Sequence, residues 1–499
     1  MVPVALRMPQ VRPLIERQSY FVVHAPRQIG KTTTLVELAA ELTASGQYTA
    51  ALVSMEVGAP FGDQIEIAEP AMLGSWRGAI EHQLPRELWP PAWPEAAPGR
   101  RIGAALKSWA EASARPLVVF LDEIDALYDD TLISVLRQLR DGYRNRPESF
   151  PWSLALVGLR DIRDYRVHGD EREHLGTASP FNISVDSLTL KDFTPEEVAG
   201  LFAQHTGDTG QSVPPETLAR IYHWSRGQPW LVNALGRQLM DVLVTDRATP
   251  MRPEHVDAAA RILIERQDTH LDSLSERLRE PRVRAIVEPM LGGVNPQPLP
   301  NDDVHYVLDL GLLRRGSDGT IEVSNPIYKE VIVRDLLVVP RISLPKLQPS
   351  WLTPAGKLDA QALLAAFLKF WRRHGEPVMR SAPYHEIAPH LVMMAFLDRV
   401  ANGGGTVERE YAIGSGRLDL CLRLGDESLA IELKVWREHE PDPREEGLEQ
   451  LDAYLAGLGL PVGWLVIFDR RPGLARLAER TTVEDARTPG GREVRLIRA

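Results

Sequence analysis

A chain of 499 residues that is 44% hydrophobic and 25% charged can bury substantial cores, and its length sets an expectation of about three domains. One cysteine, Cys421, excludes a disulfide framework and fits a reducing, cytoplasmic setting; no apolar run approaches the roughly 18 residues of a membrane span, and the opening MVPVALRMPQ lacks the apolar core of a signal peptide. The formal net charge of -11 excludes a molecule-wide attraction to nucleic acid, so any such contact must come from local basic patches.

The apolar run Tyr20-Phe21-Val22-Val23-His24 reads as a buried strand. It is followed by Ala25-Pro26-Arg27-Gln28-Ile29-Gly30-Lys31-Thr32-Thr33-Thr34 and the helix-prone Leu35 to Leu42. Strand, tight loop and helix in that order let the backbone N–H groups of Arg27, Gln28, Ile29, Gly30 and Thr33 wrap a phosphate chain. Lys31 reaches the β and γ phosphates, and the Thr32 hydroxyl holds Mg²⁺. Ala25 stands where such loops carry a first glycine, which is tolerable only if the backbone there keeps φ negative. The plain alternative is an ordinary strand–turn–helix with a capping threonine.

Residues 50–57 read as a second parallel strand, and Gly58 to Arg100, rich in Pro and Trp, as an insertion packed on the core. Ile102, Ala105, Leu106 and Trp109 suit a helix. Pro116 to Leu121 is an unbroken apolar run, as expected of a strand buried on both faces. It ends in Asp122-Glu123-Ile124-Asp125, where Asp122 is placed to organise Mg²⁺ and Glu123 to orient an attacking water. Leu132 to Leu139 reads as a helix and Trp152 to Gly158 as a strand, giving a doubly wound parallel α/β sheet with nucleotide at the strand C-termini. Arg160 and Arg163 are candidates for an arginine finger, against the reading of a solvated basic loop.

Leu190 to Glu197 reads as a strand end, then Thr194 as N-cap with Pro195 at the first helical position. Ser225-Arg226-Gly227-Gln228-Pro229 forms a turn between helical patterns. The phosphate loop, the Asp-Glu strand, the PFNISVDSLTLKDFT segment and this Gly-x-Pro turn together resemble the STAND and archaeal-type branch of the AAA-like ATPases. The resemblance covers about the first half of the chain. It implies ATP and Mg²⁺ as ligands, a helical lid that brings Pro229 over the nucleotide, and a nucleotide state that governs domain arrangement. In AAA-type ATPases a small polar γ-phosphate sensor usually follows the strand that here ends in Gly158; this chain has arginines instead.

Residues 254–340 read as helical, closing with a winged-helix-like pattern: a helix from Asp302 to Leu310, a strand ending at Arg315, a turn at Ser317 to Gly319, a strand Thr320 to Val323 and a helix Pro326 to Leu337. Its recognition helix, NDDVHYVLDLG, is acidic, which favours interdomain packing over DNA binding. Pro340 to Pro354 reads as a linker.

Beyond it, Asp359 to Arg373 and Glu386 to Val400 read as helices. Strands follow at Thr406 to Ile413, Arg417 to Leu424 and Leu429 to Trp436, with a turn at Asp426-Glu427. A helix, Glu445 to Leu458, and a strand, Val462 to Phe468, complete an αβββαβ unit. Asp419 and Glu432 fall at neighbouring strand positions and can share a divalent metal, with the Leu433 carbonyl as a third hard ligand. Lys434, two residues from Glu432, leaves the same strand face and can orient a water. The plain alternative is a sheet with a salt-bridged Glu–Lys pair.

Asp419 with Glu432-x-Lys434 resembles the PD-(D/E)XK nuclease family, and Gln450-x-x-x-Tyr454 resembles a motif of its RecB-like branch. Leu418, not Pro, precedes Asp419. The resemblance implies Mg²⁺ or Mn²⁺ at Asp419, Glu432 and Leu433, a further carboxylate from Glu386, and nucleic-acid contacts at Gln450 and Tyr454.

The expected organisation is an ATPase core over 1–190, a helical lid over 191–250, a helical, winged-helix-like domain over 251–340, a linker over 341–358 and a nuclease-like domain over 359–499. The expected activity is ATP binding and hydrolysis that control metal-dependent cleavage of nucleic acid, DNA favoured over RNA. A homo-oligomer or a protein partner is compatible with it, and no membrane is involved. Such fusions resemble proteins of prokaryotic defence systems and mobile elements. The alternative is a nucleotide-driven switch whose last domain binds nucleic acid or a partner without cutting.

Overall fold

The computed structural model describes residues 2–159, 186–266, 271, 274, 276–291, 301–316, 319–343, 350–354, 357–381, 388–401, 405–412 and 417–499. These fall into two compact units, one of Met1–Leu263 with Asp309–Gly311, the other of Ile264–Leu308 with Leu312–Ala499.

In the first unit, short helices α1 (Val4–Arg7) and α2 (Val11–Glu16) precede β1 (Tyr20–His24), α3 (Lys31–Ala44) and β2 (Thr49–Ser54). Then come α4 (Ile65–Gln83), α5 (Arg101–Ala112), β3 (Leu117–Asp122), α6 (Asp129–Gly142) and β4 (Ser153–Gly158). After β5 (Asp186–Thr189) the chain continues as α7 (Pro195–Thr209), α8 (Pro215–Ser225), α9 (Pro229–Gln238) and α10 (Pro253–Arg266). The five strands are all parallel, in the order β2-β3-β4-β1-β5. The parallel α/β expectation therefore holds for this unit.

Apolar residues on both strand faces explain the two cores. Val119 and Leu121 of β3 join Tyr20, Val53, Trp76 and Trp109 on one side. Val118 and Phe120 join Phe21, Val23, Leu35 and Leu38 on the other. The stretch expected as an insertion does pack on the core, but it is largely helix: α4 buries Ala68, Met72, Leu73, Trp76 and Ile80. Trp89 and Trp93 pack against the same cluster, and their indoles donate to the carbonyls of Leu84 and Leu73 at 2.9 and 3.0 Å. The start of α7 carries the expected Thr194 N-cap, closed as a capping box with Glu197.

Further along lie α11 (Pro281–Leu291), α12 (Asn301–Asp309), the antiparallel ribbon β6 (Leu313–Arg315) and β7 (Ile321–Val323), and α13 (Pro326–Ser343). The helix–ribbon–helix order matches the expected pattern, and Ser317 and Asp318 of its turn lie outside the described residues. The final helix runs through Pro340 to Ser343, further than expected, and packs on α15 (Ala388–Ala401), which follows α14 (Ala360–Ser381). Trp351, inside the stretch read as a linker, is buried.

The last sheet is mixed, in the order β12-β13-β11-β10-β9-β8. It contains β8 (Gly405–Ala412), β9 (Arg417–Leu424), β10 (Glu427–Trp436), β11 (Val462–Asp469), β12 (Thr482–Arg487) and β13 (Glu493–Arg498). Helix α16 (Arg444–Leu458) links β10 to the parallel β11. The turn between β9 and β10 falls at Gly425-Asp426, one residue before the expected Asp426-Glu427, because Gly425 supplies the left-handed backbone (φ 59°). Strands β12 and β13 extend the sheet beyond the expected αβββαβ unit.

Candidate functional site

The first cluster sits at the C-terminal ends of β1, β2 and β3. Left-handed backbone in the loop after β1 falls on Gln28 (φ 60°) and Gly30 (φ 89°), not on Ala25, so alanine meets no steric objection there. Gly30 is the N-cap of α3, which aims that helix's free N–H groups into the loop. A cleft of about 460 Å³ is lined by Arg27, Gln28, Gly30, Lys31, Thr32 and Thr33 on the loop side, and by Glu56, Asp122, Glu123 and Asp125 opposite.

Parallel pairing sets these carboxylates. Ser54 lies beside Asp122 in the β2–β3 register, and the Thr32 hydroxyl donates to Asp122 Oδ2 at 2.6 Å. Burial pushes the Asp122 pKa up, while the bonds from Thr32 and the Glu123 N–H oppose that rise. Lys31 Nζ donates to the carbonyls of Ala25 and Pro26 at 2.7 and 2.9 Å. Burial lowers its pKa, and the nearby Asp125 and Asp122 resist the loss of charge.

Glu123 accepts the Ser54 hydroxyl at Oε2, 2.7 Å away, and its own backbone is left-handed at φ 58°. Glu123 in turn raises the pKa of Glu56, two carboxylates being close enough to share a proton. Asp125 Oδ1 accepts the Leu159 N–H at 3.2 Å, tying the acidic loop to the segment after β4. Ile29 and Pro229 are buried and do not line the cleft; Pro229 opens α9. Arg160 and Arg163 lie outside the described residues.

The second cluster sits on β10. Its register sets Glu432 directly opposite Asp419 of β9. The Glu432 side chain is 0% exposed, and neither carboxylate oxygen has a hydrogen-bond partner among the described residues. Among the described residues a cation lies beside it: Lys434 Nζ is 3.6 Å from Glu432 Oε1. Lys434 donates to Glu446 Oε1 at 2.9 Å and to Gln450 Oε1 at 2.7 Å, while Gln450 Nε2 donates to the same Glu446 oxygen at 2.8 Å. An alternating pattern on β10 and a four-residue step on α16 bring these groups together.

Leu433 is buried, on a strand flanked by β9 on one side and by Val466 of β11 on the other. Tyr454 packs into the apolar cluster with Leu451, Leu455 and Leu465, which leaves Gln450 as the more accessible of that pair. Glu386 lies outside the described residues. Among the described residues no group of three or more His, Cys, Asp or Glu is gathered as a metal site. An orphaned buried carboxylate beside a lysine nonetheless fits a divalent cation, which would relieve the desolvated charge.

Sequence reasoning passed over Ser54, Glu56, Asp125, Glu446 and His390. Ser54 could be found only by knowing that β2 lies beside β3. Glu446 had a local signal, one helical turn before Gln450. His390 on α15 is fully buried with no partner for either ring nitrogen among the described residues; burial, with Arg437 and Lys434 nearby, lowers its pKa to about 3.

No helix among the described residues is long and apolar enough to cross a membrane. The sequence matches no protein-family model, and no curated protein matches it. Among solved structures, the chain is similar to a Walker-type ATPase of Pyrococcus abyssi, at 13% identity and a TM-score of 0.47 over 66% of this chain and 96% of that one. It is similar to the RuvB Holliday junction branch migration motor of Thermotoga maritima, at 17% identity and a TM-score of 0.35 over 66% and 92%. A third similar structure is the Aeropyrum pernix Orc1 protein in complex with DNA, at 13% identity and a TM-score of 0.34 over 66% and 91%. Likeness at this level assigns the chain to no family.

Proposed function

We propose that the first unit binds and hydrolyses ATP and that its nucleotide state controls a metal-dependent nuclease in the second. The observation that carries the ATPase half is the Thr32–Asp122 bond of 2.6 Å, formed across a cleft whose loop backbone and Lys31 face it. A hydroxyl and a carboxylate so paired fit Mg²⁺, which Thr32 and Asp122 would hold and which when bound would offset phosphate charge. Lys31, released from its two carbonyl partners, would neutralise the β and γ phosphates. Glu123 would orient the attacking water and accept its proton.

The nuclease half rests on Glu432. A buried carboxylate without hydrogen bonds is expensive, and a function that uses its charge explains why it is kept. Asp419, Glu432 and the Leu433 carbonyl would hold a divalent cation, which when bound stabilises charge on a scissile phosphate. Lys434 would orient the water, and Gln450 and Glu446 would fix the ammonium.

A second reading has one observation in its favour. Lys434 is already held by Glu446 and Gln450, so the cluster can also serve as a buried brace in a domain that binds nucleic acid or a partner without cutting. One experiment separates them: full-length protein with labelled DNA and labelled RNA, with Mg²⁺ or Mn²⁺, with and without ATP. Cleavage that needs metal and responds to ATP supports the first reading. Binding without cleavage supports the second.

A further inference from the structure

Arg7, the last residue of α1, reaches two separate segments at once. Its Nη1 donates to the Ile29 carbonyl of the phosphate loop at 3.1 Å. Its Nη2 donates to the Lys191 carbonyl at 2.5 Å. The same guanidinium lies 4.6 Å from the ring centroid of Phe193. Lys191 and Phe193 belong to the short link that leaves β5 and enters the helices α7 to α9. The chain of contact continues there: the Phe193 N–H donates to the Gly227 carbonyl at 2.8 Å. Gly227 has φ 83°, and a Cβ on it would overlap the Phe193 carbonyl oxygen, so the two backbones touch directly. Gly227 opens the turn that starts α9.

We infer that Arg7 is a positioning residue that couples the backbone of the phosphate loop to the helices α7–α9, so that nucleotide in the loop sets the order of those helices. This deepens the ATPase reading and rests on it. Ile29 directly precedes Gly30 and Lys31, so any adjustment of the loop around phosphates moves the carbonyl that Arg7 holds.

The residue type follows from the geometry. A planar fork can donate to two carbonyls on different segments while its face lies on an aromatic ring; an ammonium donates as a point and cannot do both. Burial works against the charge of Arg7, and the nearby Glu197 and Asp192 work to keep it. Two further contacts keep the link in place independently of Arg7. The Leu190 N–H donates to the His24 carbonyl at 3.1 Å, and the Thr194–Glu197 capping box sets the start of α7. Removing Arg7 should therefore break the coupling without unfolding either side.

The test uses the full chain, a slowly hydrolysed ATP analogue with Mg²⁺, and two readouts: titration calorimetry for binding, and hydrogen–deuterium exchange by segment. In the wild type the analogue slows exchange both in the phosphate loop and over residues 193–233. Arg7→Ala and Arg7→Lys are expected to bind within about tenfold of the wild type, a loss of at most about 1.4 kcal/mol. They keep protection in the loop and lose at least half of it over 193–233. Phe193→Leu, which fills the same space without a π face, is expected to fall between them and the wild type. Equal protection of 193–233 in the wild type and in both Arg7 variants overturns the inference while leaving the ATPase reading intact. Absence of any analogue binding by the wild type overturns the ATPase reading itself and this inference with it.

Discussion

The hydroxyl of Ser54 donates to Glu123 Oε2 at 2.7 Å, so the carboxylate proposed to activate water is held by the neighbouring strand. The bond crosses from the end of β2 to the residue just after β3, and the register that pairs Ser54 with Asp122 brings the two groups within reach.

Glu123→Gln should bind ATP as the wild type does and hydrolyse it at least about 100-fold more slowly, the usual loss when a positioned base is removed. Ser54→Ala should raise the basal rate severalfold by freeing the carboxylate, with ATP affinity unchanged. Steady-state ATPase assays with a binding titration check both. A slower Ser54→Ala enzyme would mean that the hydroxyl aims Glu123 instead of restraining it.

Lys31→Ala should weaken ATP by at least tenfold, about 1.4 kcal/mol, because it deletes the cation that the loop holds beside Asp122 and Asp125. Calorimetric titration is the check, and wild-type affinity in the variant would remove the phosphate-loop assignment.

Glu432→Gln should move stability and metal response in opposite directions. In metal-free buffer the variant no longer buries a carboxylate whose oxygens lack hydrogen bonds and whose ion pair with Lys434 is long, 3.6 Å, so the melting transition of the second unit should rise by a few degrees. Mn²⁺ should raise the wild-type transition and leave that of the variant in place. Differential scanning calorimetry with and without Mn²⁺ decides it; a variant that gains as much from Mn²⁺ as the wild type would detach Glu432 from metal.

His390 supplies a pH test of known sign. Its pKa falls from 6.5 to about 3 in the folded state, so below pH 6.5 the unfolded chain takes up a proton that the native chain refuses. Stability should therefore drop by up to about 1.4 kcal/mol per pH unit between 6.5 and 3, with no contribution above 6.5. His390→Leu should lose less stability on going from about pH 7 to about pH 4.5 than the wild type does. Thermal melts at the two pH values measure the difference, and equal acid losses would remove His390 as a cause.

What the sequence disclosed, and what it hid, has a physical pattern. The β1–loop–α3 stretch and β3 were readable because strands buried on both faces are continuous apolar runs, and their polar ends stand out. That Asp419 and Glu432 fall on neighbouring strands was readable because a tight hairpin joins those strands; their direct opposition was not, because the expected turn at Asp426-Glu427 lies one residue late and would set Asp419 opposite Lys434. Helix α4 was obscured: Pro70, Gly74 and Gly78 lie within it, although Ala68, Met72, Trp76 and Ile80 keep the helical spacing. Strand β12 was hidden because nearly all its side chains are exposed, so no alternation marks it. Ser54, Arg7 and His390 were out of reach for a different cause. Each acts through partners distant in the chain, and only the packed structure says which residues those are.

The place of β13 has a consequence for any interrupted chain. Residues 493–498 lie between β11 and β12, pairing in parallel with Val462 to Ile467. A polypeptide terminated between 470 and 492 would retain β11 with one side bare, and the residues of β11 from Gly463 to Phe468 are all buried in the folded chain. Such a fragment would present an unprotected apolar edge of the kind that recruits strands from other molecules. Loss of the chain beyond this short window should therefore register as aggregation, whereas a nick in the exposed turn at Gly490-Gly491 that leaves both pieces present would let the paired strands on either side of it stay in place.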